Sequence, residues 1–188
     1  MSLDHAILGF LSEQPSTGYD LKTRCFDRVA RSVWTADQAQ IYRTLERLEK
    51  SGLVTSRLIP QPGRPDRKEY AVTQAGRRAL REWLETPHPL PPLRDPLLLQ
   101  LLFGGALPDD QLLALLETAR DGYQRRLEDL RKDAGRAASE SRNAKVRRMT
   151  LDGAMSQARA SIDWLDGAID RVRAGLPANG DALGRLTR

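Results

Sequence analysis

Along the first 86 residues the apolar positions switch from a helical period to a strand period and back. Leu3, Ile7, Phe10 and Leu11 recur at helical spacing and stop at "SEQPSTGY", where Pro15 and Gly18 break the pattern. A second helix is predicted through "YDLKTRCFDRVARSVW", with Leu21, Cys25, Val29 and Val33 on one side. A third opens at Thr35, because Gln38 three positions later gives the spacing of a capping box and Asp37 suits the positive end of the helix dipole. Its buried stripe is Ile41, Leu45 and Leu48, and Ser51 and Gly52 end it. The runs "LVTSRLIP" and "RKEYAVT" are rich in Val, Ile, Thr and Tyr, and "QPGRPD" between them supplies the turn of a hairpin. Thr73 then caps a helix through "QAGRRALREWLE", with Leu80 and Trp83 or Leu84 facing inward.

No helix can run through "TPHPLPPLRDP", whose prolines at 87, 89, 91, 92 and 96 withhold backbone donors. The expected organisation is therefore a domain over residues 1–86, a linker over 87–94, a helical region over 95–175 and a loose polar tail over 176–188. Asp95 and Pro96 offer a cap and a first-turn proline for the leucine-dense "LLLQLLFGGAL". Pro108 and two aspartates start a longer helix carrying Leu112, Leu116, Ala119, Tyr123, Leu127 and Leu130 at steps of four and three. "GRAASESRNAK" weakens that pattern. From Leu151, the positions Met155, Ala158, Ile162, Leu165, Ile169 and Val172 form a seam suited to another helix, and Gly175 and Pro177 stop it. The fold class is mainly α with a small β-hairpin wing. Three helices, a hairpin and a fourth helix are the order of a winged helix-turn-helix domain, here followed by an α-helical arm.

Composition removes several function classes. The 188 residues are 40% hydrophobic, 5% aromatic and 29% charged, which describes a globular chain and excludes a disordered one. A net charge of +5 permits a polyanionic partner. Asp4 stands where a signal peptide has a basic region and no apolar run approaches bilayer thickness, so a cytoplasmic location without a membrane partner is expected. The single cysteine, Cys25, excludes an intramolecular disulfide and CxxC sites. Arg24 and Arg28 flank it as they flank reactive thiols, although a small packing group is the plainer role. His5 and His88 have no metal-ligand or catalytic companions, and no phosphate-cradling glycine motif occurs. Neither an enzyme, a metal site nor a cofactor is expected.

The third helix carries the chemistry of interest. With Ile41, Leu45 and Leu48 inward, Gln38, Gln40, Arg43, Thr44 and Arg47 are expected to face outward, as on a helix that enters a major groove. Gln pairs with adenine, Arg with guanine, and Thr presents a hydroxyl and a methyl group. Lys22, Lys50, Arg64, Arg67 and Lys68 are expected at phosphates, where they fix position without reading sequence. Residues 1–86 hold 14 Lys and Arg against 11 Asp and Glu, a net of +3, so clustering carries this expectation and total charge does not. The same side chains also suit a solvated face. A protein-interaction module whose charged hairpin guards against aggregation is the alternative.

"ILGFLSEQPSTGYDLK", "IYRTLERLEKSGLV", "GRPDRKEYAVTQAGRRALREWL" and "LLLQLLFGGALPDDQLLALL" together resemble the PadR family of bacterial transcriptional regulators over nearly the whole chain. The resemblance implies a homodimeric, usually repressing protein that binds double-stranded DNA at an inverted-repeat operator and is released by a small molecule. By matching position it places Tyr19, Tyr42, the third helix and the wing around Gly63 and Arg64 at or near DNA. Each tyrosine serves equally as a packing group with its hydroxyl at the rim. Many relatives carry "IYPAL" where this chain has "IYRTL", so Arg43 and Thr44 point to an operator preference of its own. The seam from Leu151 to Val172 is expected to serve dimerisation. Trp83, Leu84, Phe103 and Tyr123 are candidates for apolar contacts to a small aromatic or amphipathic effector, with core packing as the other role of each.

Overall fold

A computed structural model of the chain describes residues 2–60, 66–89, 92, 94–135 and 141–177. The wing-tip candidates Gly63 and Arg64 lie outside the described residues. Two compact units divide the chain, Met1–Leu90 and Pro91–Arg188.

In the first unit, α1 (Ser2–Glu13) is followed by β1 (Ser16–Thr17), α2 (Gly18–Asp20) and a π-helix (Leu21–Val29). Then come α3 (Gln38–Lys50), the hairpin β2 (Val54–Ile59) and β3 (Arg67–Val72), and α4 (Gln74–Glu85). The sheet is antiparallel in the order β1-β3-β2, with Val54 opposite Val72 and Ser16 opposite Tyr70. Ile7, Leu8, Leu11, Leu21, Phe26, Ile41, Leu45, Leu48, Val54 and Tyr70 form its core. β1 was not foreseen, because two residues are too short to show a period.

The second helix departs from its expected stripe. A π-helix closes i→i+5 bonds, such as Ala30 N–H to the Cys25 carbonyl at 2.9 Å, and so brings positions five apart onto one side. Leu21 and Phe26 are buried, Cys25 is partly buried, and Val29 and Val33 are exposed.

The start of α3 is also corrected. Asp37, not Thr35, is the N-cap: its carboxylate accepts from Gln40 N–H at 2.7 Å while Gln40 Oε1 accepts from Asp37 N–H at 3.1 Å. Ala36 before the cap and Ile41 in the first turn both lie in the core, the arrangement of a hydrophobic staple that decides where the helix enters. Thr73 caps α4 as expected, accepting from Gly76 N–H at 3.1 Å. Gly76 is packed so tightly that a Cβ there would stand 2.1 Å from the Leu53 carbonyl oxygen. Leu80 packs against the core, Trp83 is half-buried and stacks on His5 with ring centroids 4.9 Å apart, His88 lies 5.3 Å from it, and Leu84 is exposed.

In the second unit, α5 (Pro96–Phe103) is capped by Asp95 with Pro96 in its first turn, and a short 3₁₀ turn (Gly104–Ala106) leads to α6 (Asp109–Gly135) and α7 (Arg142–Arg173). Leu112 and Leu116 of α6 pack with Leu165, Ile169 and Val172 of α7. Leu127, Leu130 and Ala134 pack with Met155 and Ala158, with Leu151 and Ile162 against them. The α7 seam expected to meet a partner chain is therefore consumed within this chain, because α6 offers it a matching apolar stripe over its whole length. Leu97 and Leu101 of α5 join this packing, whereas Leu98, Leu99, Leu102 and Phe103 point to solvent. No described helix is long and apolar enough to cross a membrane.

Candidate nucleic-acid interface

α3 presents a narrower outward face than its sequence implied. Thr44 is only 4% exposed, so it joins Ile41, Leu45 and Leu48 in the buried stripe and cannot offer its hydroxyl to a base edge. The reason is geometric: position 44 lies three residues after 41 and four before 48, on the same side of the helix. Gln40 has its carbonyl oxygen committed to the cap and keeps only its amide donors. Arg47 pairs with Asp4 at 2.5 Å, which directs it towards α1. Gln38, Tyr42, Arg43 and Lys50 remain exposed, and neither Arg43 nor Lys50 forms an ion pair among the described residues.

Tyr42 is seated by α2. A Cβ on Gly18 would lie 2.6 Å from Tyr42 Cε1 and 2.7 Å from Cζ, so the ring rests directly on the Gly18 backbone. Packing thus accounts for the ring of Tyr42, while its outer edge stays exposed. Tyr19, the next residue in α2, is more exposed still.

The wing cations are held by carboxylates that the sequence reading did not consider. Arg67 on β3 donates to Asp20 Oδ2 at 2.9 Å, and Arg24 lies 3.3 Å from the other oxygen of the same group. Asp20 also accepts from the Thr17 hydroxyl at 2.7 Å, which ties β1, α2 and β3 together. Lys68 donates to Glu49 Oε2 at 2.8 Å and sits 5.2 Å from the centre of the Tyr70 ring. Glu49, in the last turn of α3, also accepts from the Ser56 hydroxyl on β2. The Lys68 bond, then the Ser56 bond, holds the Glu49 carboxyl below its ordinary 4.5. In return Glu49 raises Lys68 above 10.5, and burial raises the Tyr70 phenol above 10.0. Arg57 pairs with Glu69 across the hairpin at 2.7 Å, and Lys22 pairs with Asp27 within the π-helix. Lys22, Arg47, Arg67 and Lys68, expected at phosphates or bases, all have internal partners. The links of Asp20 to Arg67 and of Glu49 to Lys68 were missed because the partners stand 47 and 19 positions apart, beyond any local spacing rule.

The sequence pattern of the transcriptional regulator PadR-like family matches residues 7–82, and that of the virulence activator alpha C-terminal region matches residues 93–173. The negative transcriptional regulator PadR of Bacillus subtilis is 31% identical over 129 residues, which is 68% of this chain and 70% of that protein. The chain belongs to the PadR-like family of transcriptional regulators. A probable transcriptional regulator of Mycobacterium tuberculosis is 47% identical over 87 residues, and the match spans just under half of that relative, 46% of its length. The crystal structure of Bacillus subtilis PadR in complex with operator DNA is similar to this fold with a TM-score of 0.83 at 25% identity, over 92% of this chain and 99% of that one.

In this PadR-like chain the four effector candidates do not converge on a described cavity. Trp83 is engaged by the two histidines, Leu84 and Phe103 are exposed, and Tyr123 is partly buried against the apolar cluster shared by α6 and α7. A separate hollow of about 330 Å³ in the second unit is lined by Gly104, Gly105, Leu107, Asp109, Leu112, Leu176 and Pro177.

Proposed function

We propose that this PadR-like protein is a homodimeric transcriptional repressor that binds an inverted-repeat operator through α3 and the wing and is released by a small-molecule effector. The observation that carries the reading is the exposed first half of α3. There Gln38 and Arg43 stand uncommitted beside a tyrosine seated on Gly18, in a fold similar to that of a relative crystallised with operator DNA. Arg43 suits guanine and Gln38 suits adenine. Such a protein acts in the cytoplasm as a binding protein, with no reaction of its own.

A second copy of the chain is the partner that α5 favours. Leu98, Leu99, Leu102 and Phe103 are four large apolar groups exposed on one eight-residue helix, more than a solvated helix presents. A twofold dimer that sets the two α3 helices roughly 34 Å apart matches one turn of DNA and therefore a palindromic site. The arm hollow lined by Leu107, Leu112, Leu176 and Pro177 is the candidate effector site; a small aromatic or amphipathic molecule releases DNA there by favouring one arm arrangement over another.

The test is a fluorescence-anisotropy titration against duplex DNA from immediately upstream of the protein's own reading frame, at several salt concentrations, with scrambled duplex as control. Tight, salt-dependent binding that scrambled DNA lacks, and that is lost in the Gln38→Ala/Arg43→Ala variant, is the expected result. Weak binding without salt dependence overturns the DNA reading in favour of a protein-interaction module, since phosphate contacts release counterions and apolar docking does not.

A further inference from the structure

We propose that Glu49 is an internal stand-in for DNA phosphate, a positioning residue that holds the wing cation Lys68 in reserve and thereby sets how strongly the wing grips any DNA backbone. The inference rests on the DNA-binding reading and deepens it.

Three observations carry it. Lys68 donates to a carboxylate oxygen at 2.8 Å and stands 5.2 Å from the centre of the Tyr70 ring, so its ammonium has a defined seat. Glu49 is placed to hold it from outside the wing. It belongs to the last turn of α3, the helix that carries the candidate base contacts, and a second bond from Ser56 on the other strand fixes its carboxylate. Finally, the pair faces solvent, with side chains 42% and 31% exposed, so an incoming phosphate can replace the carboxylate without opening the core. Asp20 repeats the arrangement on the neighbouring cation, Arg67. Its bonds to Thr17 also build the turn into α2, which makes Glu49 the cleaner member to test.

The consequence is an exchange. When the wing meets DNA, Lys68 leaves one anion for another, so its net gain is the difference between the two contacts. Sequence-independent affinity is held down, and the operator is distinguished by the contacts of α3. The favourable hydrogen bond that lowers the Glu49 carboxyl pKa agrees with a pair that is formed when DNA is absent.

Binding of full-length protein to a scrambled duplex, measured by anisotropy across a salt series, tests this with Glu49→Gln, Lys68→Gln and the double variant. Glutamine removes the charge and keeps one acceptor oxygen for Lys68, while its amide N–H can donate to the Ser56 hydroxyl in place of the oxygen that accepted from it. Glu49→Gln is expected to bind about two- to fivefold tighter, the worth of an exposed ion pair no longer broken. Its log K against log salt slope is expected to steepen by up to about 0.9, one phosphate contact. In the Lys68→Gln background the same substitution is expected to change neither quantity. Equal tightening in both backgrounds means general charge repulsion and overturns the proposal, as does an unchanged affinity and slope in Glu49→Gln when the parent protein binds. A parent protein that shows no salt-dependent binding to either operator or scrambled DNA overturns the DNA reading itself, and Glu49's role with it.

Discussion

The ring of Tyr42 lies on Gly18 so closely that a Cβ would approach Cε1 to 2.6 Å. Since Tyr42 stands beside Arg43 on the outward face of α3, a contact made by the turn before the π-helix sets part of the candidate DNA surface. Gly18→Ala forces the ring outward, a small overpacking cost of about 1 kcal/mol because the ring is half exposed and can swing. DNA affinity is expected to fall by a larger factor than stability implies. Tyr42→Ala is expected to abolish the further effect of Gly18→Ala, since the two residues act through one contact. Anisotropy and thermal melts of the two single variants and the double variant measure this; additive losses would refute the shared contact.

The capping box assigns different costs to two neighbouring residues. Asp37→Ala removes the acceptor for Gln40 N–H and is expected to destabilise by about 1 kcal/mol. Thr35→Ala, outside the helix and exposed, is expected to stay within about 0.5 kcal/mol. Denaturant titrations of the pair decide between the two cap positions. Asp37→Ala leaves the bond from the backbone N–H of position 37 to Gln40 Oε1 available, so only half of the capping box is lost.

Gly76→Ala is the harsher of the glycine changes. Its Cβ meets a backbone oxygen, that of Leu53, which cannot rotate aside as a ring can. The β2 start and the α4 start must separate, with an expected loss of more than about 3 kcal/mol and poor soluble yield. A melting temperature close to the parent's would show that this junction has slack the packing does not reveal.

Dimer formation through α5 predicts a change in mass. Leu102→Asp/Phe103→Asp alters two of the most exposed apolar side chains of the arm and leaves Leu97 and Leu101 in the core. Light scattering after size exclusion is expected to report a dimer for the parent protein and a monomer for the variant, with helical content retained. A variant that remains dimeric places the interface elsewhere.

Acid acts on the wing through Glu49. Its folded-state pKa is lowered from 4.5, so its contribution to stability is fully present above that value and is lost as pH falls through the folded value. The melting-temperature difference between the parent and Glu49→Gln is therefore expected to be constant near neutrality and to shrink as pH falls below 4.5. Lys68, raised above 10.5, limits the pair only in strong base. A difference that stays constant down to strong acid would show that the carboxylate makes no net contribution.

The sequence by itself determined the parts of this protein that neighbours within a few residues decide. Ile41, Leu45 and Leu48 marked the α3 stripe, the two strand runs marked β2 and β3, and Asp95 with Pro96 marked the start of α5, because period, cap and turn chemistry act locally. Most of the candidate site was legible as a face of α3, and less of it as individual contacts. Whether Thr44 belonged to the stripe, and whether Phe26 or Val29 turned inward, depended on the shape of the core that received them. Which cations were uncommitted depended on Asp4, Asp20 and Glu49, acids brought to Arg47, Arg67 and Lys68 from 43, 47 and 19 positions away. The α7 seam was visible as a seam, yet only folding showed that α6 of the same chain fills it and that α5 leaves four large apolar side chains exposed. An apolar stripe specifies that it must be covered, and tertiary structure alone decides by what.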